Sequence, residues 1–328
     1  MQQQRLSLVV LSLVVLSVGA LFTTAACAEP NANKPGENAP YVMVLGIGQD
    51  GGYPQAGTKE HPAWDDPSLR RMPACLALVD PVSGERWLFE ATPAFKEQLH
   101  RLDVAAPREE RPGLDGIFLT HGHMGHYVGL VHLGREAIGA RQVPVYGMPR
   151  MREFLSTNGP WDQLVRLENI VLKPLADQKP VQLNERLRVT PFLVPHRDEY
   201  TETVGYKIEG PNRSILFIPD IDKWEAWDDW EPSPGRIEDW IAGVDVAYLD
   251  GTFFKDGEIP GRAMEEIPHP FIEESLERLG KLPAEEKAKV VFIHLNRTNP
   301  AIVIGSEAEQ SIEGAGFRVA RELERAPL

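Results

Sequence analysis

The sequence predicts an α/β layered domain, with mixed sheets that carry helices on their outer faces. Three observations point to it. From Tyr41 onward, short runs rich in β-branched and apolar residues alternate with helix-like runs at close spacing. The early strand-like runs come as neighbouring pairs joined by Gly, Asp or Ser turns, as at residues 80–85, and helices then interrupt them singly. No shift in composition divides residues 41–328, so a chain of 328 residues, 42% of them hydrophobic, reads as one large domain.

Taken in order, residues 1–27 read as an export signal. Arg5 supplies a short positive start, and the stretch from Leu6 to Phe22 is almost wholly apolar. A retained membrane anchor is the other reading, but the stretch is at the short limit for a span. The small residues and the cysteine that follow favour cleavage. Thr24-Ala25-Ala26-Cys27 resembles a lipoprotein box, which would leave Cys27 lipidated, and Ala26-Cys27-Ala28 also suits simple secretion. Residues 28–40, rich in Pro, Asn and Ala, are expected to form a flexible tether. Strands are expected over residues 41–46, 74–80, 86–90, 116–120 and 143–146, then over 187–194, 204–209, 214–219, 244–249 and 289–295. Helices are expected over 93–102, 129–138, 150–157 and 272–279. Cys75, the second of two cysteines, is expected to pack as a small hydrophobe.

A net charge of −14 argues against nucleic acid as a partner, because phosphate binding needs a basic stripe and none is visible. It would also repel anionic substrates unless bound cations reverse the sign locally. The expected partner is a small-molecule substrate, with the membrane reached only through a lipid on Cys27.

Three of the nine histidines crowd into His121-Gly122-His123-Met124-Gly125-His126, directly after the apolar run 115–120. Imidazoles two apart in an extended turn can share one side, and a third at the start of a helix can point back at them, which suits a metal ion. His196, Asp220 and His294 each follow an apolar strand-like run in the same way. Each alone would read as a turn residue. Together they place ligands at the ends of separate strands, where side chains can meet at one sheet edge.

The series Thr120-His121-Gly122-His123-Met124-Gly125-His126, His196, Asp220 and His294 resembles the metallo-β-lactamase superfamily. It is most similar to the relatives of coenzyme PQQ synthesis protein B, through residues 45–55, Leu249-Asp250-Gly251-Thr252-Phe253 and residues 293–300. The resemblance implies an αββα sandwich with metals at one edge between two facing sheets. It implies a first metal on His121, His123 and His196, a second on His126 and His294, and Asp220 bridging. The cofactors implied are one or two divalent ions, zinc first, with manganese or iron as alternatives.

The superfamily pattern has Asp where this chain has Gly125, so another carboxylate must reach the second site or that site is weak. Asp250 is the first candidate and Asp50, in the glycine loop, the second; Asp250 can equally brace a loop. The protein B relatives also often lose metal histidines, carry a cysteine cluster after the Gly-Gly-Tyr/Phe-Pro-Gln stretch, and act inside the cell. This chain keeps the histidines and has no Cys between residues 57 and 73, so a structural zinc is not expected there.

Trp224 and Trp227, with Trp230, fall three apart and either wall a substrate pocket or form one packed helix face. Arg297, Asn299 and Arg197 could contact a substrate oxygen or make structural hydrogen bonds. Residues 46–52 lack the Lys-Ser/Thr ending of a nucleotide loop, so their glycines read as a tight turn. The leading expectation is an exported metallo-hydrolase, periplasmic or membrane-tethered, acting on an ester, phosphodiester, lactone or amide, with Asp220 and Asp250 as catalytic candidates. An iron-type oxidoreductase and a non-catalytic binding protein that kept the fold are the alternatives.

Overall fold

A computed structural model describes residues 38–231, 235–264 and 267–328. The export-signal expectation for residues 1–27 and most of the tether fall outside the described residues. At the tether's end Pro40 is buried, and its carbonyl accepts the N–H of Leu328 at 2.8 Å.

Two seven-stranded sheets face one another. In the first, β1 (Tyr41–Gly46), β2 (Cys75–Val79) and β3 (Arg86–Phe89) pair antiparallel, and β4 (Gly116–Phe118), β5 (Val143–Gly147) and β6 (Ile170–Pro174) extend it in parallel. The second repeats that plan. Its antiparallel half is β7 (Val181–Gln182), β8 (Arg188–Leu193), β9 (Val204–Glu209) and β10 (Ser214–Ile218). Its parallel half is β11 (Val246–Asp250), β12 (Val290–Ile293) and β13 (Arg318–Val319), and β14 (Arg325–Pro327) returns to close the β1 edge of the first sheet.

Alternation along each strand explains the layering. In β1, Val42 and Val44 enter the core between the sheets, whereas Met43 and Leu45 pack outward. The outward set, with Ala77, Leu88, Ile117 and Val145, is covered by α1 (Phe95–Ala105), by the short α2 (Met124–Tyr127) and the 3₁₀ segment after it, and by α3 (Pro149–Thr157) and α4 (Trp161–Arg166). Strands covered on both faces read as continuous apolar runs, which is why most were visible in the sequence. Between the sheets Phe89, Phe118 and Tyr206 form an aromatic cluster, with ring centroids 5.1–5.6 Å apart. Each such fully buried ring contributes about 2–3 kcal/mol of hydrophobic stabilisation. The second sheet is covered by α5 (Trp224–Asp228), α6 (Ile237–Ala242), α7 (Ile272–Leu279) and, after a short turn α8 (Ala284–Lys287) that buries no side chain, by α9 (Glu307–Gly314).

The expected helix over 129–138 is instead a 3₁₀ segment over Val128–Leu133, which ends before Gly134. The edge strands β6, β7, β13 and β14 were not expected. They are short or half-exposed, so they lack the strong apolar alternation that marks the others.

Candidate metal centre

The site forms where strands end. The apolar residues of β4, β8, β10 and β12 are drawn into the core, and the polar residues just beyond them emerge at one sheet edge: His121, His196, Asp220 and His294. His123 lies at the N-terminal end of α2 and His126 within it. His294 (φ 66°) and Glu90 (φ 84°, just after β3) hold left-handed conformations that side chains seldom adopt, a local strain concentrated at this edge.

Among the described residues three overlapping sets of donor atoms converge. Two are rich in histidine: His121, His123, His196 and Asp220 form one, and Asp50, His126 and His294 the other; Asp220, Asp250 and His269 make the third. Asp220 lies between the first two. Its Oδ1 is 3.3 Å from His196 Nε2, and its Oδ2 is 3.3 Å from His121 Nε2, 3.5 Å from His126 Nε2 and 3.9 Å from His294 Nε2. Asp50 Oδ1 is 3.3 Å from His126 Nε2 and 4.0 Å from His294 Nε2. A tetrahedral ion with bonds of ~2.1 Å separates its ligand atoms by ~3.4 Å, so these spacings fit a divalent cation.

The fit has a second mark. Nε2 of His126, His196 and His294 and Oδ1 of Asp50 and Asp220 are buried with no hydrogen-bond partner among the described residues. Unsatisfied buried polar atoms are costly, and here five of them face a shared space.

The opposite imidazole edges are all held. Thr120 Oγ1 meets His121 Nδ1 at 2.9 Å, and Glu199 meets His123 Nε2 at 3.0 Å. Glu90 meets His126 Nδ1 at 3.2 Å, Asp222 meets His196 Nδ1 at 3.0 Å, and Thr252 Oγ1 meets His294 Nδ1 at 2.9 Å. Such contacts fix ring orientation and tautomer and raise ligand basicity. Glu90 also binds the Thr120 hydroxyl, so one buried carboxylate positions two of the histidines.

Protonation follows from burial and charge. Burial holds His121, His123 and His294 below the usual imidazole range. Burial opposes the charge on His126, but the carboxylates of Glu90, Asp220 and Asp50 outweigh it and raise its pKa well above that range. Burial would likewise raise Asp220 and Asp50. The surrounding histidines prevail and hold both below the usual carboxylate range.

His269, which no sequence pattern marked, belongs to this centre. It lies in Ile267-Pro268-His269-Pro270 with no apolar strand before it, so nothing in the periodicity could have found it. Its Nδ1 is 2.8 Å from Asp250 Oδ2 and 3.2 Å from Asp220 Oδ1. Burial opposes its charge, but Asp250 and Asp220 raise its pKa to about 9.

Asp250 does not reach the second set. Its Oδ1 accepts from the Thr252 N–H and hydroxyl, and its Oδ2 from the Ile221 N–H and His269. It braces a loop and holds His269, because β11 ends with this side chain turned towards its own following turn. The carboxylate beside His126 and His294 is Asp50.

Trp224 and Trp227 do not line a pocket either. Both are 1% exposed in the core, with the Trp224 indole N–H donating to Ser275 Oγ, because the apolar face of α5 packs on the body. Trp230, beyond the end of α5, lines a cavity of about 420 Å3 with His196, Asp198, Thr203 and Asp222. Asn299 is buried and structural: its Oδ1 caps the 3₁₀ turn Pro300–Ile302 and its amide donates to Gly251 O. Arg297 and Arg197 are exposed, and the charge of Arg197 is felt at His123, Glu199 and His269.

Residues 78–295, more than half of the chain, match the model of the beta-lactamase superfamily domain. Similar curated proteins are the coenzyme PQQ synthesis protein B of Methylobacterium nodulans, 28% identical over 86% of this chain and 97% of the relative, and that of Xanthomonas campestris, 25% identical over the same shares. Among solved structures, zinc-bound PqqB from Methylobacterium extorquens superposes with a TM-score of 0.72 at 24% identity, covering 88% of this chain and all of that one. A diphosphatase of the PhnP family superposes with a TM-score of 0.60 at 20% identity, covering 88% and 97%. The architecture, the edge of histidines and carboxylates and the matched family model lead to one conclusion: the chain belongs to the beta-lactamase superfamily and has its metallo-β-lactamase fold.

Proposed function

We propose that the protein is a metal-dependent hydrolase acting on a small molecule. The observation that carries this reading is the position of Asp220, one carboxylate shared between two convergent sets of ligand atoms, several of them buried without a hydrogen-bond partner. Divalent ions held there, zinc first with manganese or iron as alternatives, would lower the pKa of a water molecule and polarise the bond it attacks.

The chain's own residues supply the rest. Glu90, Thr120, Asp222 and Thr252 fix the imidazoles so that no reorganisation is needed during turnover. His269, held by Asp250, lies beside Asp220 in a position to pass a proton to a leaving group. Arg197 offers a charge to an anionic substrate, and the cavity under Trp230 offers room for a bulky group. The target bond is an ester, phosphodiester, lactone or amide. One neighbour in fold is the diphosphatase of the PhnP family, which makes phosphoric esters the first class to assay. Two ligand sets favour hydrolysis over the mononuclear iron oxidoreductase. Arg5, the apolar stretch from Leu6 to Phe22 and the small residues leading into Cys27 support export, with the protein periplasmic or lipid-tethered.

The test is turnover of p-nitrophenyl esters, bis-p-nitrophenyl phosphate and simple lactones by the full chain, with and without a chelator. Chelation and His123→Ala should each abolish turnover while the circular dichroism spectrum stays unchanged. A rate that survives both would overturn the reading.

A further inference from the structure

We propose that the second cation site takes its carboxylate from the glycine loop, with Asp50 occupying the space that a side chain at position 125 would need. This deepens the metal-site reading above and rests on it, though not on hydrolysis.

The steric relation is direct. A Cβ built on Gly125 would lie 1.8 Å from Asp50 Oδ1, 2.6 Å from Asp50 Cγ and 2.7 Å from Asp50 Cα. Real Cβ atoms do not approach other atoms so closely. Because the clash includes the Asp50 backbone, even alanine at 125 would force the loop away. Gly125 has an ordinary helical backbone within α2, so glycine is needed there for space and not for its conformational range. Positions 50 and 125 therefore exclude one another: one side chain, and one carboxylate, fits beside His126 and His294.

The loop that carries Asp50 is built to hold it. The Gly48 N–H donates to Met72 O at 2.8 Å and the Gln49 N–H to Leu295 O at 2.8 Å. The Gly52 N–H closes the turn onto Gln49 O at 2.7 Å, and the Gln49 side chain is bonded to Asn296. One of these anchors is thus the residue directly after His294, so the loop and the histidine are fixed to the same strand end. The Asp50 side chain is half-exposed as a whole, but its Oδ1 is fully covered, has no partner and is directed at His126 and His294. A solvated surface aspartate would do the reverse and turn its oxygens to water. His126 and His294, each with a partnerless Nε2, complete the set together with Asp220 Oδ2.

The experiment counts zinc per chain in the full protein purified without chelator, loaded with zinc and dialysed. The wild type should hold about two ions per chain, matching one tetrahedral set on each side of Asp220. Asp50→Asn, which keeps shape and removes the charge, should retain about one, with the weaker site losing affinity by ~100-fold. Gly125→Ala, whose Cβ would meet Asp50 Oδ1, Cγ and Cα and force the loop away, should likewise retain about one. A wild type with a single ion, or an Asp50→Asn protein that keeps both, overturns the proposal. A Gly125→Ala protein that folds by circular dichroism and still holds two ions overturns the exclusion between positions 125 and 50. Because the readout is metal content, a chain that binds both ions without hydrolysing any substrate would defeat only the reading in the preceding section.

Discussion

Asp250 Oδ2 lies 2.8 Å from His269 Nδ1, both side chains are buried, and the imidazole is thereby held 3.2 Å from Asp220 Oδ1. The pair adds an imidazole to the metal edge without taking a place in either of the two histidine-rich sets. His269→Ala should lower kcat by ~10²–10⁴-fold, the usual worth of a positioned proton donor. Zinc content should stay at the wild-type value. Parallel loss of metal and rate would mean that His269 acts by orienting Asp220 and not by proton transfer.

The hydroxyl of Thr252 joins Asp250 Oδ1, at 2.6 Å, to His294 Nδ1, at 2.9 Å. Thr252→Val keeps the shape and removes both contacts. It should weaken zinc binding ~10–100-fold, as loss of a ligand's supporting hydrogen bond commonly does. Competition with a chromophoric chelator measures this directly, and an unchanged affinity would show that His294 is oriented by packing alone.

Trp227 and Trp230 sit three residues apart but should behave oppositely. Trp227→Ala removes a ring that is 1% exposed and should cost about 3–5 kcal/mol by denaturant unfolding, with little effect on KM. Trp230→Ala opens the wall of the cavity beside His196 and should raise KM with a small change in stability. A KM effect from Trp227 would restore the pocket role that its burial argues against.

Glu238 on α6 receives two hydrogen bonds from Arg278 on α7, which also reaches Asp228 on α5. Burial alone would raise the Glu238 carboxyl, but these partners, mainly Arg278, lower it to about 2. A depressed folded-state pKa contributes stability above the unfolded value and loses it as pH falls through the folded one. The contribution is therefore whole at neutral pH and fades between about pH 4.5 and 2. Because Glu238 is partly exposed, solvent screening keeps the effect near ~1 kcal/mol. Arg278→Met should lower Tm at pH 7, with a deficit that shrinks as the solution is acidified below pH 4.5; a deficit independent of pH would assign the loss to packing.

His121, His123, His126, His196, Asp220 and His294 were legible in the sequence because each follows or begins an element whose apolar pattern is strong. Burial of that pattern dictates where the strand stops, and so where the next polar residue emerges. The layered fold was legible for the same reason, through strands such as β1 and β9, whose bounds the pattern matches. Three things were decided only by tertiary structure. Asp50 and not Asp250 approaches His126, because which loop fills the space above a glycine depends on how distant segments cross. His269 joins Asp250 across 19 positions with no periodic signal to announce it. Trp227 is buried whereas Trp230 lines a cavity, because α5 ends between them. Local patterns follow from nearest neighbours along the chain, but side-chain convergence depends on contacts between segments that no local pattern encodes.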